Sequence, residues 1–409
     1  MSMKIGVIGD VHLGANQWAG KQHPELNVNT RLIDYAETLD VTIDEMIVAG
    51  VTEVVFTGDI FEHRFPSIVQ QKVFSQSLYS ALSKGIEKIH IVIGNHDQQR
   101  IHSTTTLSYL KELKLPNIIV YDEMSMHLLR WFGKPVANLI LMPYRDRLWL
   151  SQETHDAAVD VLRSEMSAVM SVRDLGIPTI LIGHMTIEGT FVDEAYKDLY
   201  GENQLTLPCS MFSDVNVTLM GHIHKPDIIC QNPYIAYVGS MEKRGGFEDH
   251  DKLYAIIDLE SASVEYHKEP CRNMLDMVLD YSTLVVGDGL LERIRNDIAA
   301  YATTNKLGSS IVRPTIRICA EDEQFLDVRA VSQHLRDEYG VHFCSEIKPE
   351  IITSRQSRDD RITEDISHIS ALQLFLENTV DDSFMRKLLI DAGTDIIRTV
   401  GDKSASSQT

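Results

Sequence analysis

KIGVIGDVHLG, residues 4–14, sets the pattern from which the fold is read. An apolar run starting at Lys4 ends at Gly9, and Asp10 and His12 follow at once. The same event recurs along the chain: Val54–Gly58 then Asp59, Ile89–Gly94 then Asn95, Thr179–Gly183 then His184, and Val217–Gly221 then His222. Short runs rich in Ile and Val read as buried strands. Helical stretches lie between them. Pro66–Lys84 places Pro in its first turn and has Gly85 as a stop. Ser151–Leu175 carries an apolar stripe at Ala158, Leu162, Met166 and Val169 and ends at Gly176. Strands alternating with helices predict an α/β layered domain. Such sheets present functional groups beyond the carboxyl ends of their strands, where all five motifs fall. Leu253–Leu259 and Val264–His267 read as closing strands.

After about residue 270 the motif pattern stops. Asp288–Tyr301 reads as an amphipathic helix through Leu291, Ile294 and Ile298. Thr315–Cys319 reads as a strand, Phe325–Tyr339 as a helix and Val341–Ile347 as a strand, together a small second α/β domain. Lys348–Glu364 is polar and charged and is expected to be a linker. Ser370–Glu377 and Ser383–Arg398 read as short helices, and the polar tail Asp402–Thr409 is expected to be disordered.

The 409 residues, 44% hydrophobic and 24% charged, suit a globular protein of more than one domain. No apolar run reaches the length of a membrane span, and Met1–Gly9 has neither a basic region nor a cleavage site, so no signal peptide is read. The scattered cysteines (Cys209, Cys230, Cys271, Cys319, Cys344) lack zinc-ribbon spacing. They are expected to be free thiols in a reducing, cytoplasmic compartment. A formal charge of −21 argues against nonspecific nucleic-acid binding by the surface as a whole. Two bound divalent ions facing two carboxylates would still leave roughly +2 at the site itself, enough to attract a phosphodiester.

The motifs are GDVHLG (Gly9–Gly14), GDIFEHR (Gly58–Arg64), GNHD (Gly94–Asp97), GHMT (Gly183–Thr186) and GHIH (Gly221–His224). Their ligand-capable members are Asp10, His12, Asp59, Asn95, His184, His222 and His224. Residues two apart on an extended turn point the same way, as Asp10 and His12 do, and His222 and His224. Mixed imidazole and oxygen donors suit manganese, iron or zinc better than calcium. Two metals need a bridge, and Asp59, alone in its motif, is the natural one. A pair of ions about 3.5–4 Å apart can activate water and stabilise charge on attacking and leaving oxygens. His96, next to Asn95, is free to protonate a leaving group. Asp97 reads as a turn-stabilising carboxylate.

This set resembles the calcineurin-like metallophosphoesterase superfamily over roughly residues 3–260. The resemblance implies a four-layer β-sandwich flanked by helices, followed here by a small α+β capping domain and C-terminal helices. It implies that one ion takes Asp10, His12, Asp59 and His224, and the other Asp59, Asn95, His184 and His222, with His96 as the catalytic histidine. Phosphoprotein phosphatases, with GDxHG, GDxVDRG and GNHE, fit poorly. The motifs are closer to SbcD-type DNA repair nucleases, and Val238-Gly239-Ser240 sits where that family has Pro-Gly-Ser. The implied organisation is a nuclease domain at 1–268, a DNA-capping domain at 269–347, a linker at 348–365, helices that bind an ATPase at 366–401 and a tail at 402–409. The implied activity is a manganese-dependent 3′-to-5′ exonuclease with endonuclease action on DNA, partnered by an SMC-like, SbcC-type ATPase. The implied homodimer uses Pro66–Lys84 and Ser103–Leu113, with Val69, Val73 and Leu78 as candidate contacts.

Several family members carry a histidine directly after Gly-Asp-x-Phe, linked to exonuclease action. Glu62 stands there instead, with His63 one place later as a candidate substitute. Arg64, Arg100, Arg145, Arg147, Lys225, Lys243 and Arg244 are candidate contacts for DNA phosphates, and Trp18 and Tyr144 for an unpaired base. The rival readings are a nucleotide phosphodiesterase or phosphatase on the same scaffold, and an inactive scaffold for the ATPase.

Overall fold

The computed structural model describes residues 2–99, 104–190, 203–244, 248, 250–283, 285–352, 367–380 and 383–405. The chain forms two compact units. One comprises Met1–Met277, Ala300–Pro314 and Ser332–Glu346; the other comprises Val278–Ala299, Thr315–Val331 and Ile347–Thr409.

In the first unit the order is β1 (Lys4–Ile8), α1 (Thr30–Val48), β2 (Val51–Phe56), α2 (Ile68–Lys84), β3 (Lys88–Val92) and β4 (Ile118–Tyr121). There follow β5 (Ser125–Trp131), β6 (Lys134–Met142), α3 (His155–Met170), β7 (Thr179–His184), β8 (Val217–Gly221), β9 (Asp227–Gln231) and β10 (Tyr234–Tyr237). The closing pair is β11 (Leu253–Asp258) and β12 (Ser263–Lys268). One sheet runs β12-β11-β1-β2-β3-β4 and the other β9-β10-β8-β7-β6-β5. The strands that carry motifs are parallel to their motif-bearing neighbours, and antiparallel strands close the sheets at β11, β12, β9 and β5.

The apolar runs are continuous because both faces of each sheet are covered. Ile5, Val7, Val55 and Val92 meet Leu139, Leu141, Ile180, Ile182 and Leu219 in a shared core. On the far face of the first sheet, Ile8 and Phe56 pack with Tyr35 and Leu39 of α1 and Phe74 and Leu78 of α2. On the far face of the second, Ile140, Leu181 and Met220 pack with Ala158, Leu162 and Met166 of α3. This is the four-layer sandwich.

Local chemistry trims the expected helices. Ser67 Oγ accepts from Gln70 N while the Gln70 side chain accepts from Ser67 N, a capping box that starts α2 at Ile68 and leaves Pro66 outside it. Thr154 caps α3, so 151–153 precede the helix, which ends at Met170 rather than near Leu175. Of the helix expected over Ser103–Leu113, the described residues 104–113 form a two-residue strand, Thr104–Thr105, and a helix over Ser108–Glu112. Leu78 is buried in the core of its own unit, so it is not free for a dimer contact, whereas Val69 is exposed.

The remaining elements are β13 (Met274–Tyr281), α4 (Leu290–Thr304), β14 (Ile311–Cys319), α5 (Val328–Tyr339), β15 (Phe343–Cys344), β16 (Glu350–Ile352), α6 (His368–Thr379) and α7 (Ser383–Ala405). The strand expected over Val341–Ile347 shrinks to Phe343–Cys344, because Val341 N bonds Leu335 O at the end of α5 instead of a ladder. Glu350–Ile352, expected within a linker, pairs in parallel with Arg317–Cys319. Helix α7 continues through Ala405, beyond the start of the expected tail, and most of the expected linker lies outside the described residues. Among the described residues no helix is long and apolar enough to cross a membrane.

Candidate metal centre

Five strand ends of the first unit meet, and the loops leaving them lock one another. His12 N bonds Asp59 O at 2.9 Å, Leu13 N bonds Ile60 O at 2.9 Å and Thr57 N bonds Ile8 O at 3.0 Å. His222 N donates to Asp10 Oδ2 at 2.8 Å, and His96 N to Asp59 Oδ1 at 2.7 Å. The cost of this crowding shows in the backbone. His12, Asp59 and His222 have φ of 50°, 47° and 91°, a region side chains rarely adopt and that persists where surrounding structure enforces it. Gly94 is a necessity of close approach: a Cβ there would run into the Asp59 carboxyl and backbone. Gly58, at φ 119°, needs its freedom for the same turn.

The donor atoms converge in two overlapping groups. His12 Nε2 faces His224 Nε2 at 3.1 Å and lies 3.6 Å from Asp59 Oδ2; His224 Nε2 lies 3.8 Å from Asp10 Oδ2. On the other side Asn95 Oδ1 is 3.0 Å from His184 Nε2 and 2.9 Å from His222 Nδ1, and His184 Nε2 is 3.5 Å from Asp59 Oδ2. Asp59 belongs to both groups, so it has the place of a bridge. Within the sets Asp10–His12–His224 and Asp10–Asp59–His184, every ligand atom lies within 4.8 Å of the others. His184 Nδ1 is engaged by Thr57 O at 2.9 Å, which leaves Nε2 as the inward donor.

The electrostatics fit divalent cations. Burial pushes the Asp10 carboxyl up, with the Asp59 charge adding to it. Burial would also raise Asp59, but His184 and His96 beside it hold it well below the ordinary range. Burial alone lowers His184, yet Asp59 and Asp10 bring it up to about 9. Burial lowers His12 to about 4, His222 to about 3 and His224 well below the usual range, so these rings are neutral at physiological pH. Three imidazoles lowered by burial, with His184 drawn toward positive charge by two buried carboxylates that repel each other, form a set that cations satisfy.

A family model described as calcineurin-like phosphoesterase matches residues 3–226. The chain belongs to the calcineurin-like phosphoesterases. It is 23% identical over 255 residues to the SbcD component of the nuclease SbcCD of Escherichia coli, covering 58% of this chain and 60% of that protein. To the protein of the same name from Staphylococcus saprophyticus it is 23% identical over 274 residues, 64% of this chain and 67% of the relative. To the DNA double-strand break repair protein Mre11 of Methanopyrus kandleri it is 22% identical over 225 residues, 55% of this chain and 45% of the relative. The chain thus spans about 60% of the length of the Escherichia coli relative it matches.

Other groups of this phosphoesterase fall in different places. Half-buried His96 has Nδ1 2.6 Å from the Glu62 carbonyl, which turns Nε2 away from that loop. Asp97 accepts from Ile60 N and Gly94 N and braces two motif loops, as a turn carboxylate does. Glu62 faces the centre: Oε2 lies 3.1 Å from His12 Nδ1 at ion-pair distance, without the alignment of a hydrogen bond, and the carboxylate is paired with Arg244. His63 is exposed, as is Lys225, and Arg64 is half-buried. Lys243 Nζ donates to Glu248 O at 2.7 Å. Arg145 is not placed for phosphate. It is buried, bonds Tyr144 O at 2.8 Å and stacks over Trp149 at 5.3 Å. Arg147 is tied to Asn203 Oδ1 at 2.6 Å. Tyr144 is buried against the rings of His184 and His222, so it backs these candidate ligands rather than offering a face to a base, whereas Trp18 is exposed. Arg100 lies outside the described residues.

Sequence reasoning missed the support beneath His224. Fully buried Lys252 donates to His224 O at 3.0 Å and Ser240 Oγ at 2.9 Å, and Ser240 N bonds the same carbonyl at 3.0 Å. Gly239 O accepts from Asp10 N at 3.2 Å. The Val238-Gly239-Ser240 stretch was the available signal: it ties the first motif to the last.

Proposed function

We propose that this phosphoesterase is a manganese-dependent DNA nuclease, a 3′-to-5′ exonuclease with endonuclease activity, that processes DNA ends in repair or recombination beside an SMC-like ATPase of the SbcC type. The observation that carries this reading is the convergence of Asp10, His12, Asp59, Asn95, His184, His222 and His224 with His96 beside them. The relatives named for the SbcCD nuclease and for Mre11 support DNA as the substrate. Asp10, His12, Asp59 and His224 would hold one manganese ion, and Asp59, Asn95, His184 and His222 the other. Bound there, the pair supplies Lewis acidity toward water and phosphate oxygens.

His96 carries the proton. With Nδ1 donating to the Glu62 carbonyl, its protonated form offers Nε2–H to the leaving 3′ oxygen. The Asp59 carboxylate fixes the His96 backbone and with it the position of that proton. Arg64, Lys225, Lys243 and Arg244, and exposed His63, are assigned to the DNA. The same proposal gives 1–268 the chemistry, 269–347 the capping of DNA and 366–401 the docking of the ATPase. Exposed Phe375, Phe384, Met385 and Leu388 on α6 and α7 support that docking, and exposed Phe65, Ile68, Val69 and Tyr79 in and before α2 support a homodimer. The protein would act in the cytoplasm.

Replacing Asp59 or His96 with Ala and incubating single- and double-stranded DNA with manganese tests the proposal. Loss of cleavage in both is expected. Native cleavage by both variants would overturn it.

A further inference from the structure

Glu62 stands where the resemblance places a histidine, and its polar groups reach three parts of the centre. Its main-chain carbonyl engages His96 Nδ1 at 2.6 Å. Its Oε2 lies 3.1 Å from His12 Nδ1, on the side of the ring opposite Nε2, which faces His224. The same carboxylate takes two bonds from Arg244, from Nε at 2.8 Å and from Nη2 at 3.0 Å. Arg244 Nη1 then rests 3.5 and 3.4 Å from the two ring nitrogens of His224. Both side chains keep about a fifth of their surface open, 22% for Arg244 and 18% for Glu62, so an anion can reach the guanidinium from solvent.

These contacts have distinct consequences. A carboxylate at ion-pair distance behind a ligating imidazole favours the proton on the outer nitrogen by its charge and makes the inward nitrogen a better donor. A guanidinium held on two parallel bonds is a directed cation with its remaining N–H groups aimed, unlike a mobile surface lysine. An imidazole at position 62 could not do the same, because it has at most one acceptor nitrogen and cannot receive two parallel N–H groups.

We propose that Glu62 is a positioning residue that sets His12, His96 and Arg244 together, and that Arg244 binds a non-bridging oxygen of the phosphodiester at the site. The proposal rests on the nuclease reading and deepens it. Position 62, where the resemblance places a histidine, holds an anion here, and the cation beside it is Arg244.

The test uses the full chain with Glu62→Gln, Arg244→Gln and the double variant. Manganese affinity is measured by calorimetry, and KM and kcat on a fluorescein-labelled single-stranded oligonucleotide. Arg244→Gln should raise KM about tenfold or more, the value of a charged hydrogen bond, while manganese affinity stays native. Glu62→Gln should weaken manganese binding about 10–100-fold and raise KM as well. The double variant should have a KM no worse than Glu62→Gln alone, because the two act as one unit. If Glu62→Gln does not fold, Glu62→Asp carries the same measurements. A native KM in Arg244→Gln, native manganese affinity in the Glu62 variant, or fully additive effects on KM would overturn the proposal while native cleavage leaves the nuclease reading intact. A native protein that binds manganese but cleaves no oligonucleotide would overturn both the nuclease reading and the Arg244 assignment.

Discussion

The motif loops of the first unit and the helices and strands of the second are held by different means. The loops after β1, β2, β3, β7 and β8 rest on polar atoms, on left-handed backbone at His12, Asp59 and His222, and on a glycine jammed against Asp59. In the second unit α4 is held by Leu290, Ile294 and Ile298, and β14 by alternating Ile316 and Ile318. Chemistry leaves fixed residue types in a sequence, whereas packing leaves only a period that many residues satisfy.

Four substitutions test how far the contrast holds. His96→Gln should lower kcat by ~10²–10⁴-fold with manganese affinity kept, measured by oligonucleotide turnover and calorimetry. Loss of manganese would instead make His96 a ligand. Next in size, Ile294→Ala should cost its unit about 2–5 kcal/mol in urea unfolding yet leave manganese affinity native. A weakened metal site would show that the two regions are not separable. Glu269, in the first unit, is a buried carboxyl that can titrate. Burial pushes its carboxyl up to about 8 from an ordinary 4.5, against the pull of the Thr42 hydroxyl. The folded protein therefore holds that proton more tightly than the unfolded chain. The stability it contributes is complete below pH about 4.5 and is lost as pH rises through about 8. Glu269→Gln should flatten the fall in melting temperature between pH 5 and pH 9, and an unchanged slope would sink that assignment. Smallest of all, exposed Val69→Ala should shift stability by no more than about 0.5 kcal/mol.

The candidate site was legible because each motif follows an apolar run and a glycine, a pattern set jointly by strand burial and loop crowding. The sandwich itself was less so. Alternation of strands and helices points to layers, and only the family resemblance separated two sheets from one. Helix α1 was missed although Leu32, Tyr35, Leu39, Ile43 and Met46 recur at helical spacing on its buried face, because Arg31, Asp34, Thr38 and Thr42 are buried among them. There Arg31 Nη2 meets Glu242 Oε2 at 3.1 Å and Thr38 Oγ1 donates to Glu242 Oε1 at 2.7 Å. That buried polar network interleaves with the apolar stripe and makes its edge hard to read. Glu62 was visible as a departure from a motif, but its partner Arg244 is 182 residues away, and no local pattern links them. Pro66 pointed to the right helix and the wrong first residue, because the capping box at Ser67 sets the start.

Anomalous diffraction at the manganese edge, from crystals grown with manganese, probes the proposed bimetallic centre most directly. Two peaks roughly 3.5–4 Å apart are predicted, one among Asp10, His12 and His224, one among Asn95, His184 and His222, both touching Asp59. A single peak that avoids Asp59, or none among these seven side chains, would contradict the account.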